Sequence, residues 1–191
     1  AWPADCIIDV RYELQGAALR SQIRITNPDV RPLPWGLGTH TYFKLPLGPD
    51  GRYEDCQLRA PAHKLWVLDN CLPTGEIVNV PADKDLRYGR PIGRGPLDDV
   101  YTDVRADQGR IDCIIRNPAA GLEIVQSSDA IFRELVVFTP PNRHTVCMEP
   151  YTCVSDAINV QQQGMDAGLQ ILPPGQEVTT WIDLEVRPIT G

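Results

Sequence analysis

The chain has 191 residues, 42% hydrophobic and 23% charged, which suits a single domain with a substantial core and excludes wholesale disorder. Lys and Arg total 18 against 25 Asp and Glu; the resulting net charge of −7 argues against duplex nucleic acid or an anionic membrane surface as the main partner. No apolar run approaches the roughly 20 residues of a spanning helix, and residues 1–5 show neither the basic flank nor the apolar stretch of a signal peptide.

In chain order, the first clear signal is alternation. Ile8, Val10, Tyr12 and Leu14 alternate with Asp9, Arg11 and Glu13, predicting a half-buried strand. Leu19, Ser21, Ile23 and Ile25 repeat the pattern after a short Gly16-containing loop, so the pair reads as a β-hairpin. Short apolar runs follow at Leu65–Leu68, Ile111–Ile115, Leu122–Val125 and Leu135–Phe138, and alternation returns over Thr180–Val186. The Pro- and Gly-rich stretches Pro28–Gly38, Pro46–Gly51 and Arg90–Pro96 read as long loops, and helix is expected only as single turns at Lys84–Tyr88 and Ala157–Gln163. The pattern predicts an all-β fold, a large antiparallel β-sandwich forming one domain over residues 1–191.

Six cysteines stand at positions 6, 56, 71, 113, 147 and 153, irregularly spaced and without a Cys-x-x-Cys pair. They are expected to be free and mostly buried thiols, which places the chain in a reducing compartment, the cytoplasm.

The chain contains no phosphate-cradling Gly loop, no zinc-protease helix, no nucleophile elbow and no cluster with metal-ligand spacing. What it offers is a histidine and carboxylates on a β scaffold. His40 lies among Gly36, Gly38, Tyr42 and Phe43, where glycines admit close backbone approach and aromatics can wall a pocket. It reads either as a hydrogen-bonded core histidine or as an acid–base group. Glu149 follows the apolar run 146–148, so it must be paired, hydrogen-bonded or raised in pKa, and it reads equally as a structural salt bridge or as an acid–base group. Asp98 and Asp99 read by default as turn caps. Such a set suits acid–base chemistry on a polar, neutral substrate.

These residues carry a resemblance. His40-Thr41-Tyr42-Phe43-Lys44-Leu45 resembles the H-x-Y-F-x-L signature of the aldose 1-epimerase (galactose mutarotase) family. Pro73-Thr74-Gly75, Leu97-Asp98-Asp99-Val100-Tyr101, Thr139-Pro140, Glu149-Pro150, Asp156-Ala157-Ile158-Asn159 and Leu172-Pro173-Pro174-Gly175-Gln176 resemble further family segments in the family's order.

The resemblance implies a mutarotase-type sandwich and interconversion of the α- and β-anomers of a hexose, with Glu149 as base and His40 as acid. Asp98 would bind sugar hydroxyls, and Tyr42, Phe43 and Tyr151 would wall the pocket. No metal or organic cofactor is implied. A non-catalytic sugar-binding module is the main alternative; a hexose-6-phosphate epimerase is another, with Arg90 and Arg94 available for the phosphate. The likeness covers the C-terminal two-thirds of a family member. It implies that leading strands, with a substrate-binding Arg and a second active-site His, precede the first residue, which is not Met. A chain lacking them is expected to turn over weakly and to self-associate or pair with the missing segment.

Overall fold

A computed structural model describes residues 2–141 and 144–189. The strands in the first half are β1 (Ile7–Gln15), β2 (Ala18–Thr26), β3 (Leu33–Trp35), β4 (Tyr42–Lys44), β5 (Gln57–Arg59), β6 (Ala62–Asp69), β7 (Leu72–Asn79) and β8 (Arg90–Pro91). Those in the second half are β9 (Asp98–Val104), β10 (Arg110–Asn117), β11 (Leu122–Asp129), β12 (Glu134–Phe138), β13 (Thr145–Tyr151), β14 (Gln170–Leu172) and β15 (Glu177–Pro188). A single α-helix is described, α1 (Ala157–Gln162).

A seven-stranded sheet in the order β1-β2-β15-β11-β10-β5-β8 backs a six-stranded sheet in the order β4-β13-β12-β9-β6-β7, and β3 pairs with β14 in a small third sheet. Pairing within both large sheets is antiparallel. The expected all-β sandwich is therefore the observed one.

The main core lies between the two large sheets and follows from period-two alternation. From the seven-stranded sheet come Leu58, Ile111, Cys113 and Ile115; from the six-stranded sheet come Phe43, Leu65, Tyr101, Leu135, Val137, Val146 and Met148. The opposite face of the six-stranded sheet therefore carries Tyr42, Leu68, Asp98, Val100, Val136, Phe138, Cys147, Glu149 and Tyr151. A second apolar cluster of Trp66, Val100, Val154, Ala157, Val160 and Ala167 seats α1 on that same face.

Several expectations need correction. The strand at Ile7–Gln15 forms, and its hairpin closes over Gly16 with φ +60°, but it is exposed along its whole length rather than half buried. It is an edge strand with no opposing layer among the described residues, so Ile8, Val10, Tyr12 and Leu14 face solvent, Leu14 at 74%. The stretch Pro28–Gly38 is not all loop: β3 forms within it, burying Leu33 and Trp35, and Pro34 is tolerated because that sheet has only two strands. Arg90–Pro96 likewise contains β8 and a 3₁₀ turn at Ile92–Arg94. Lys84–Tyr88 makes successive turns rather than a helical one, tied down by Tyr101 donating to the Lys84 carbonyl and by Ala60 N–H donating to that of Leu86. Asp98 and Asp99 are strand residues, not caps. All six thiols are free, but Cys6 and Cys71 are exposed, Cys153 is half buried, and only Cys56, Cys113 and Cys147 are buried. Burial pushes the Cys113 thiol up to about 12.

Candidate active site

The outward face of the six-stranded sheet forms a cleft of about 290 Å³ lined by His40, Tyr42, Leu68, Cys71, Asp98, Val100, Val136, Phe138, Glu149, Tyr151 and Ser155. Strand geometry explains who is there. Cys147, Glu149 and Tyr151 alternate along β13, so one register choice sends all three to this face and sends Val146 and Met148 to the core. The segment before β4 continues alongside β13, with Thr39 N–H donating to the Pro150 carbonyl at 3.3 Å, and that brings His40 over Glu149.

Glu149 is buried, its side chain 3% exposed, and both carboxylate oxygens are engaged. Oε2 accepts the Tyr151 hydroxyl at 2.9 Å, and Oε1 lies 3.3 Å from His40 Nδ1. The His40 side chain is 57% exposed, and its ring stacks on Tyr42 with centroids 5.1 Å apart and planes 20° from parallel. A buried acid thus meets a histidine that opens to solvent. Burial, and then the bond to Glu149, push the Tyr151 phenol well above its ordinary value, which keeps it a donor.

Gly38 sets the position of the Tyr151 ring. Its backbone bridges to Tyr151, and a Cβ there would lie 2.5 Å from a ring carbon. Only glycine permits that approach.

Asp98 borders the cleft from β9, while its neighbour Asp99 points the other way and binds Lys84 Nζ at 2.6 Å. Tyr42 and Tyr151 line the cleft. Phe43 does not. Pleating turns alternate β4 side chains to opposite faces, so Phe43 is buried between the sheets. Arg90 is no phosphate ligand in waiting either: its buried guanidinium donates to the carbonyls of Asp83, Pro91 and Gly95.

Two groups on this side of the sheet escaped the sequence reading. Cys147 Sγ lies 3.1 Å from His40 Nδ1 and 3.1 Å from the Thr41 carbonyl, so one donor atom each from His40, Cys147 and Glu149 falls within 4.8 Å of the others. Burial and the neighbouring carboxylate raise that thiol above its ordinary range. The available signal was Cys-x-Glu on a strand, which places both side chains on one face. Glu134, on the same face of β12, is buried beside Trp66, whose indole N–H donates to it at 3.0 Å. Desolvation pushes its carboxyl up to about 7.

The antiparallel sandwich is the fold of galactose mutarotase-like proteins. The chain belongs to the aldose 1-epimerase family, whose sequence model matches residues 1–185. Among solved structures it is similar to a galactose mutarotase-like protein from Clostridium acetobutylicum, with TM-score 0.88 and 19% identity over 98% of this chain and 58% of that one. It is also similar to an aldose epimerase homologue from C. elegans (TM-score 0.79, 19% identity, 99% of this chain and 62% of that one). A galactose 1-epimerase from Lactobacillus acidophilus superposes with TM-score 0.76 at 15% identity, over 98% of this chain and 58% of the other. The chain thus spans about three fifths of the length of these relatives.

Proposed function

We propose that the chain carries the acid–base centre of an aldose 1-epimerase acting on neutral hexoses, with Glu149 as base and His40 as acid. One observation carries this reading: His40 Nδ1 and Glu149 Oε1 stand 3.3 Å apart at the open side of a cleft. Opening a cyclic hemiacetal requires removal of a proton from the C1 hydroxyl and delivery of one to the ring oxygen. Those two oxygens sit on the same carbon. An acid and a base must therefore converge on one small region, and this pair does.

In the forward direction Glu149 takes the hydroxyl proton, the C1–O5 bond breaks as its electrons leave with O5, and His40 protonates O5. The C1 aldehyde rotates and the ring closes on its other face with both transfers reversed. An imidazole nitrogen can give up a proton in one direction and take it back in the other. Asp98 accepts hydrogen bonds from sugar hydroxyls, and Tyr42, Phe138 and Tyr151 give the ring an apolar wall. Tyr151 holds the Glu149 carboxylate in place.

The lining favours a neutral sugar over a sugar phosphate, because it contains two carboxylates, one histidine and no Lys or Arg. Six free thiols suit a reducing compartment, the cytoplasm, as the working environment. The test is polarimetry on freshly dissolved α-glucose and α-galactose. Faster decay of rotation than in buffer, abolished by Glu149→Gln, supports the enzyme. Saturable sugar binding without acceleration would leave a binding module, and preference for glucose 6-phosphate would overturn the neutral-substrate assignment.

A further inference from the structure

We propose that His40, Cys147 and Glu149 form a site for a borderline-soft divalent cation, Zn²⁺, which occupies the cleft in competition with sugar. The donor set is one imidazole nitrogen, one thiol sulfur and one carboxylate oxygen, a mixture suited to zinc and poorly suited to Mg²⁺ or Ca²⁺.

Distances carry the argument. Zinc bonds of about 2.0–2.1 Å to nitrogen or oxygen and about 2.3 Å to sulfur, arranged tetrahedrally, put N and O about 3.3 Å apart and N and S about 3.6 Å apart. His40 Nδ1 lies 3.3 Å from Glu149 Oε1 and 3.1 Å from Cys147 Sγ. The nitrogen–oxygen spacing already matches, and the nitrogen–sulfur spacing needs about half an ångström, which a half-exposed imidazole supplies by a small rotation. All three donor atoms fall within 4.8 Å of one another.

Supporting contacts are also built in. The Tyr151 hydroxyl holds the second oxygen of Glu149 at 2.9 Å, so Oε1 is the one presented. Cys147 and Glu149 are buried on a rigid strand, while His40 closes the trio from the open side. Three protein ligands leave a fourth position for water, as in open zinc sites. Binding forms a Zn–S bond while the thiol proton leaves to solvent.

This inference goes beyond the sugar chemistry: occupancy by zinc does not depend on it, whereas competition with sugar does. The experiment begins with the chain stripped by EDTA and dialysed against ZnCl₂ or CoCl₂. One metal per chain is expected, with a near-ultraviolet thiolate-to-cobalt charge-transfer band. Cys147→Ala should remove the band and weaken zinc by more than about 100-fold, since loss of mere supporting contacts already costs 10–100-fold. Cys6→Ser, at an exposed thiol remote in sequence, should change neither. No uptake by the wild-type chain, or an unchanged band in Cys147→Ala, would overturn the site. Should Cys147→Ala fail to fold, His40→Gln, altered at a largely exposed side chain, carries the same test: weaker zinc supports the site and unchanged affinity refutes it. In polarimetry, inhibition by Zn²⁺ relieved by EDTA is expected. A chain with no mutarotation that still shows the cobalt band would refute the sugar reading and leave the metal site standing.

Discussion

Tyr151 donates its hydroxyl to Glu149 Oε2 at 2.9 Å, and the two residues sit two positions apart on the same face of β13. The bond fixes which carboxylate oxygen turns toward His40. Tyr151→Phe keeps the apolar wall and removes only the restraint. It is expected to lower kcat about tenfold with little change in KM, because orientation rather than binding is lost. A rise in KM at constant kcat would show instead that the hydroxyl contacts the sugar.

The acid and the base should be separable from the wall by the size of their effects. Glu149→Gln and His40→Asn are each expected to lower mutarotation by about 10²–10⁴, the usual contribution of a placed acid or base. Asp98→Asn should act mainly on KM. Initial-rate polarimetry across sugar concentrations separates these outcomes, and an active Glu149→Gln enzyme would remove Glu149 from the mechanism.

Close approach at Gly38 gives a structural counterpart. Gly38→Ala places a methyl group 2.5 Å from the Tyr151 ring, so the ring must move or the two segments must part. A loss of about 1–3 kcal/mol is expected, as for other overpacked positions. Urea denaturation measures it, and the variant should lose activity alongside Tyr151→Phe. Unchanged stability would mean that the ring has free space to retreat into.

Glu134 gives stability a pH dependence of defined sign. Its folded carboxyl is raised to about 7 from an ordinary 4.5, chiefly by desolvation, against the pull of Thr102, Trp66 and Arg133. The folded state therefore holds this proton more tightly than the unfolded one. Its stabilising effect is full below about pH 4.5, falls as pH rises to about 7 and is gone above that, a change on the order of 3 kcal/mol. Glu134→Gln keeps an acceptor for the indole and removes the titration. Denaturation midpoints at pH 5 and pH 8 should converge in the variant relative to wild type; an identical pH response in both would exclude Glu134 as the source.

Alternation made much of this legible in the sequence. The strands around Ile8–Ile25 and Thr180–Val186 announce themselves because one face of each differs in polarity from the other. What alternation cannot say is whether a layer covers that face. For Ile23 and Ile25 one does, and for Ile8 and Val10 on the neighbouring strand none does. The same limit explains Phe43: a motif names adjacent aromatics, but pleating admits only Tyr42 to the cleft. Three-residue strands such as β3 and β14 carry too few positions for a period to show, and Pro34 conceals β3 further. Cys147 was illegible for another reason. Its relation to His40 spans 107 residues and exists only once β13 and the segment before β4 lie side by side.

Strand β1 forms one edge of the seven-stranded sheet. Its apolar residues are exposed, and among the described residues its outer backbone groups have no neighbouring strand in the sheet. Such an edge templates pairing with another chain. Two copies of β1 laid antiparallel about Tyr12 would set Arg11 against Glu13 twice and Val10 against Leu14 twice, so charge and apolarity both match in that register. The chain by itself is therefore expected to elute at twice its monomer mass in light scattering at micromolar concentration. Val10→Lys, on an exposed side chain, should restore the monomer without altering the cleft on the other sheet, and Arg11→Glu should weaken the dimer by placing like charges opposite each other. A wild-type chain that stays monomeric at every concentration tested would show that Ile8, Val10, Tyr12 and Leu14 remain in water.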